Sequence, residues 1–292
     1  YGRTTAQMDG DFLAWAGQQV EHWGFPSDPL PKRAALDATL QANPRDTDAL
    51  YKLAWLEVSS GQPKQARAEL EKLVAIDPQH LKGRELLGAI LNQMKEPDKA
   101  RPMLEAVVQE DPARPVALRT LGLMAMNAKD YDAAEKWFRK LQEVRPLEDT
   151  SYTNLAGIYL LRKDNVQAIG QLSELQRHEQ HDERIPRKLA ELFVAQGQLA
   201  EAESSAYRAI RINPYNAVNH QLMAQIIMQR KDPARAVEYW RHATELQPRV
   251  AEFWAGLADA YGLSGKKAEA AQAAAKAVAL EPASAATKWL KP

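Results

Sequence analysis

The sequence predicts an all-α fold, an α-solenoid of antiparallel helix pairs, and three observations predict it. A proline recurs at Pro44, Pro78, Pro112, Pro146, Pro214, Pro248 and Pro282; the spacing is 34 residues except for one double gap, where Gln180 stands in the expected place. With that proline as position 32, units begin at residues 47, 81, 115, 149, 183, 217 and 251, and position 20 is always alanine: Ala66, Ala100, Ala134, Ala168, Ala202, Ala236 and Ala270. Position 8 is always small (Ala54, Gly88, Gly122, Ala156, Ala190, Ala224, Ala258), and position 7 is always long and aliphatic, from Leu53 to Leu257. A fixed period of this length marks stacked helical units, each needing its neighbours to bury its apolar face.

Helix A is expected over positions 1–14 and helix B over positions 17–31 of each unit. The small residues at 8 and 20 are expected to meet where the two helices cross, with the residue at 7 filling the space beside them. The intervening turns carry breakers or polar residues, such as Gly61-Gln62-Pro63, Lys129-Asp130 and Gly265-Lys266. The proline at 32 stops helix B, because it lacks an N–H and its ring clashes with the preceding turn.

The ends depart from the period. Residues 1–46 read as a degenerate N-terminal cap: Phe12, Trp15 and Ala16 fit a helix A, and Leu36, Leu40 and Pro44 fit the end of a helix B. The loop from Gly24 to Pro31 between them holds three prolines. Residues 283–292 read as the start of a further helix A, carrying Trp289 and Leu290 and left uncapped. The last helix B is rich in alanine, which favours helix but buries little area.

This pattern resembles the tetratricopeptide repeat family over residues 47–282, about four fifths of the chain. The resemblance implies a right-handed superhelix with the A helices on its concave side. It also implies that positions 2, 5, 6, 9, 12 and 13 face a groove that holds extended peptides or helices. Positions 5 and 9 read Tyr51 and Trp55 in the first unit, Glu85 and Ala89 in the second, Arg119 and Leu123 in the third. Positions 12 and 13 contribute Asn92, Met126 and Asn127, and later Leu160-Leu161, Met228-Gln229 and Gly262-Leu263. Aromatic, Met and Arg side chains are enriched at binding surfaces; the competing reading is that Trp55, Leu123 and Leu160 only pack against neighbouring A helices. Some family members clamp a terminal carboxylate in this groove. Their pattern falls here on Arg119, Asn154, Arg184 and Lys188, with Leu123 where an amide is expected. Three cations and one amide suit a carboxylate or acidic side chain; the alternative is a solvated charged face.

Composition limits the function classes. Lys and Arg number 38 and so do Asp and Glu, which argues against a nucleic-acid partner. There is no cysteine, hence no disulfide or thiolate metal site. No apolar run is long enough to span a bilayer, and no secretory leader core is present. The first residue is Tyr1, so either a leader has been removed or the sequence is part of something longer. No phosphate loop, nucleophile elbow or catalytic set is found, and no cofactor or metal is expected. His178 and His181 stand at metal-sharing spacing, against the plainer reading of a polar helix end replacing the missing proline turn.

The expectation is a scaffold or adaptor rather than an enzyme. Its partner is a protein or peptide, in one version with an acidic group, held in a bacterial envelope assembly, secretion or export system. The periplasm is favoured over the cytoplasm. The alternatives are the non-catalytic arm of a larger enzyme or polysaccharide-export protein, and a self-assembling scaffold joined through the open C-terminal end as a homo-oligomer.

Overall fold

A computed structural model describes residues 31–290, and every regular element among them is helical. The cap residues Phe12, Trp15 and Ala16 lie outside the described residues. Helix α1 (Arg33–Ala42) precedes α2 (Thr47–Ser59), α3 (Pro63–Ile76), α4 (Leu81–Gln93), α5 (Pro97–Glu110), α6 (Pro115–Asn127), α7 (Tyr131–Val144) and α8 (Asp149–Leu161). Then follow α9 (Asn165–His178), α10 (Arg184–Ala195), α11 (Leu199–Ile212), α12 (Ala217–Gln229), α13 (Pro233–Leu246), α14 (Ala251–Leu263), α15 (Lys267–Leu280) and a 3₁₀ turn at Ala285–Trp289. The chain divides between Ile158 and Tyr159 into two compact units, and each is a solenoid stack of antiparallel helix pairs.

The repeat positions behave as their chemistry requires. All seven alanines at position 20 are fully buried, at 0 % exposure. The long aliphatic residues at position 7 are buried as well. The crossing also takes in a third position. A Cβ placed on Gly88 would meet the side chain of Leu104 at 2.6 Å, and one on Gly122 would meet the ring of Phe138 at 2.8 Å. In these two units the small residue at position 8 seats the large side chain at position 24 of its own unit. In the C-terminal unit Gly256, at position 6, is overlain by the indole of Trp240 in the same manner.

Among the described residues the A-to-B turns share one backbone. Position 15 adopts the left-handed conformation at Gly61, Lys95, Lys129, Lys163, Gly197, Lys231 and Gly265, with φ between 60° and 80°. The next amide then reaches back to position 11, as from Gln62 to Glu57 O at 2.8 Å and from Asp130 to Ala125 O at 2.9 Å. This is the Schellman closure, which satisfies carbonyls that the helix end leaves unpaired. Glycine adopts such a φ freely; lysine does so against the steric preference of an L-residue. Aspartates at position 16 cap the following helix, with Asp130, Asp164 and Asp232 each accepting from an amide at 3.1 Å.

The B-to-A turns carry the recurring prolines. At most of these prolines the amide of position 34 bonds back to the carbonyl of position 31, as from His80 to Asp77 at 3.1 Å and from Glu148 to Arg145 at 3.1 Å. The turn at Gln180 keeps the side-chain bond seen at Asn43, Asp77, Asp111 and Asn213, with Glu179 accepting from the His181 amide at 2.8 Å, and Asp182 adds another by accepting from the Arg184 amide at 2.9 Å. Helix α10 starts one position late and has 12 residues, where α12 has 13.

The C-terminal end also differs from expectation. Residues 285–289 form a 3₁₀ turn rather than the start of an α-helix A. The turn folds back so that the Trp289 ring lies on Gly262, and the indole Nε1–H donates to Asp259 at 2.6 Å.

Candidate functional site

In the N-terminal unit, α2, α4 and α6 supply most of the predicted groove residues. Tyr51 is buried, with its ring 6.5 Å from that of Trp55 and 5.8 Å from that of His80. Burial raises its phenol pKa, partly opposed by a hydrogen bond with Trp55. Tyr51 is thus packing between helices and not an open groove residue, while Trp55 is half-buried beside it. Glu85, also at position 5, is withdrawn from the groove. It is buried, accepts from Arg114 Nε at 3.0 Å through one oxygen, and takes the Ala117 amide at 2.9 Å through the other. Arg114 is itself buried, so this ion pair ties α4 to the start of α6.

Asn92 and Asn127 come together. They line one cleft of about 700 Å³ with Met124 between them and Pro97, Arg101 and Pro102 on its wall. Pro102 lies inside α5 and has no N–H for the carbonyl of Asp98, which also borders the cleft. Leu123 is exposed at 36 %, and Met126 is half-buried without bordering this cleft.

The carboxylate-clamp residues are engaged locally. Arg119 Nε sits 3.4 Å from Glu148. Asn154 donates to Thr150 O at 2.7 Å, one turn back in α8. In the C-terminal unit Arg184 forks onto Asp182, with contacts from 2.6 to 3.0 Å, and this bond holds the Asp182 carboxyl below its usual pKa. Lys188 pairs with Glu191 at 2.9 Å. Each cation therefore already has a carboxylate, which sequence spacing alone did not reveal for Glu148 or Asp182.

The C-terminal unit contains a second groove cleft that the sequence ranking underweighted. Gln225, Met228 and Gln229 of α12 face Gly256 and Asp259 of α14 around about 450 Å³, with Trp240 as its floor. The Trp240 Nε1–H is buried and meets no acceptor among the described residues. The signal was present as a glycine at position 6 following a tryptophan at position 24. Among the described residues no group of three or more metal-ligating side chains occurs, and no helix is long and apolar enough to cross a membrane.

Stacked helix pairs with small residues at fixed positions and amide-lined clefts on the A helices define a helical-repeat protein of the binding kind. Tetratricopeptide repeat models match residues 33–90, 91–157 and 222–285, and the chain belongs to the tetratricopeptide repeat family. Such proteins are generally non-catalytic scaffolds for protein–protein interaction. Among solved structures it is similar to the C-terminal part of a TPR repeat-containing protein from Cytophaga hutchinsonii, with 16% identity and a TM-score of 0.63 over 83% of this chain and 100% of that one. It is similar to YrrB, described as a TPR protein with an unusual peptide-binding site, with 14% identity and a TM-score of 0.55 over 63% of this chain and 95% of that one. Pseudomonas aeruginosa pilF matches with 20% identity and a TM-score of 0.53, over 71% of this chain and 94% of that one. At these identities the likeness is one of fold. No curated protein sequence matches the chain.

Proposed function

We propose that the chain is a protein-binding scaffold whose A helices hold an extended partner segment, as part of an envelope assembly, secretion or export system. The observation that carries the binding mode is the pairing of amides in each unit: Asn92 with Asn127 beside Met124, and Gln225 with Gln229 beside Met228. A primary amide both donates and accepts, so it matches the alternating N–H and C=O of a peptide backbone. Methionine gives an adaptable apolar floor to such sites. The envelope placement rests on the alanine- and glutamine-rich style of the repeats.

The acidic-partner version draws less support, since Arg119, Arg184 and Lys188 are paired within the chain. The test is affinity capture from a periplasmic extract with wild type, with Asn92→Ala/Asn127→Ala, and with Arg184→Glu/Lys188→Glu. Loss of one co-purifying protein in the amide variant alone supports the backbone-reading groove. Loss in the charge variant alone restores the acidic partner and overturns the amide reading.

A further inference from the structure

A basic cleft of about 820 Å³ opens at the turn where the repeat loses its proline. It lies wholly in the C-terminal unit, on B helices rather than on the groove, between the end of α9 and the second half of α11. Its volume falls in the range of about 300–1,000 Å³ typical of small-molecule sites.

The lining has one electrostatic sign. Tyr207 and Arg208 stand three and four residues after Ser204, and four and three before Arg211, so the four side chains cluster on one side of α11. The opposite face is buried through Ala202, Ala206 and Ala209. His181 and Gln176 approach from the other wall, and no carboxylate lines the space. Arg208 bonds only the Gln176 carbonyl, at 3.3 Å, and neither Arg208 nor Arg211 has an ion pair among the described residues. That sets them apart from Arg177, Arg184, Arg187, Arg230 and Arg235, each of which meets a carboxylate. The nearby acids are committed elsewhere: Glu174 to Arg177, Asp182 to Arg184, Glu203 to Arg230 and Arg235, and Glu179 to the His181 amide. The buried Oε1 of Gln176 has no partner and stands at the cleft wall.

We propose that this cleft binds the phosphoryl group of a small soluble ligand. Two guanidinium groups one turn apart, about 5–6 Å at Cβ, point donors from separated origins. A carboxylate is satisfied by the edge of a single guanidinium, whereas a phosphoryl group has three oxygens that draw on both, with the Ser204 and Tyr207 hydroxyls beside them.

The test is calorimetric titration of the full chain with pyrophosphate and with inorganic phosphate at fixed ionic strength, with acetate as control. Saturable one-to-one binding of pyrophosphate is expected, with affinity reduced at least about tenfold in Arg208→Gln/Arg211→Gln and at least about threefold in Arg211→Gln alone, through lost charge-assisted hydrogen bonds. Arg211 is exposed and has no partner in the fold, so its variant folds even if the double variant does not; circular dichroism checks both. Absence of saturable binding, equal binding of acetate, or unchanged affinity in folded Arg211→Gln and in the folded double variant overturns the proposal.

Discussion

Glu85 and Arg114 form an ion pair that is buried across the boundary between consecutive helix pairs, with the Ala117 amide bound to the second carboxylate oxygen. A charge removed from water is tolerated only when its partner and its remaining hydrogen bonds are in place. Glu85→Ala is therefore expected to cost about 3–5 kcal/mol in urea unfolding, because it strands Arg114. The double change Glu85→Leu/Arg114→Met is expected to recover most of that loss. If the single and double variants are equally unstable, the pair is not the source of the effect.

Overpacking at the helix crossing tests the register. Ala134 is fully buried, and a side chain at Gly122 would strike Phe138. Ala134→Leu and Gly122→Val are each expected to cost about 1–3 kcal/mol, measured by thermal or urea unfolding. Gly157, at position 9, has open space around its Cβ direction. Gly157→Ala should therefore leave stability unchanged or raise it, by up to about 1 kcal/mol.

The left-handed lysines give a prediction of opposite sign. Lys129 holds φ at 60° in a turn where its counterpart Gly197 holds 72°. Lys129→Gly should raise stability by about 0.5–1 kcal/mol, and Gly197→Ala should lower it by about 1 kcal/mol. A destabilised Lys129→Gly would mean that the lysine side chain contributes a contact exceeding its backbone strain.

A pH effect follows from His220. Its Nε2–H donates to Pro214 O at 2.8 Å, while Nδ1 is buried without a partner and the ring stands 5.4 Å from that of His242, with Tyr239 beside it. Burial lowers its pKa; the Pro214 bond opposes this and His242 adds to it. A depressed histidine pKa means the unfolded chain binds the proton first. The stabilisation is complete above the unfolded-state value of about 6.5 and is lost as pH falls through it. The melting temperature should drop more between pH 7.5 and 5.5 in wild type than in His220→Gln, which keeps a donor for Pro214. His242 also lies 3.4 Å from Glu245, so His242→Gln is the companion control. Parallel curves for wild type and His220→Gln would remove His220 as the cause.

The helix pairs were legible because burial repeats with the period. Ala66, Leu53 and their counterparts need no information from outside their own unit. What stayed hidden lay in side chains whose partners come from elsewhere in sequence. Glu85 stood at a groove position, yet Arg114, 29 residues on, draws it inward. The clamp cations looked free because Glu148 and Asp182, both at position 34, lie outside the groove positions. The lysines at position 15 read as polar breakers; only the backbone reveals that they occupy a glycine's conformation. Position 4 concealed a further rule, since Tyr152, His220 and Trp254 each donate to the carbonyl of the proline six residues earlier, at 2.8, 2.8 and 2.9 Å. Three different side chains share one task there, and residue identity alone could not expose it.

The fold-back of Trp289 onto Gly262 turns the exposed flank of α14 into a contested seat. Any subunit or second copy that docks there must first evict an indole already hydrogen-bonded to Asp259, whose carboxylate Lys288 also contacts at 2.9 Å. A partner docking there would have to displace the indole, an event that a change in tryptophan emission would report.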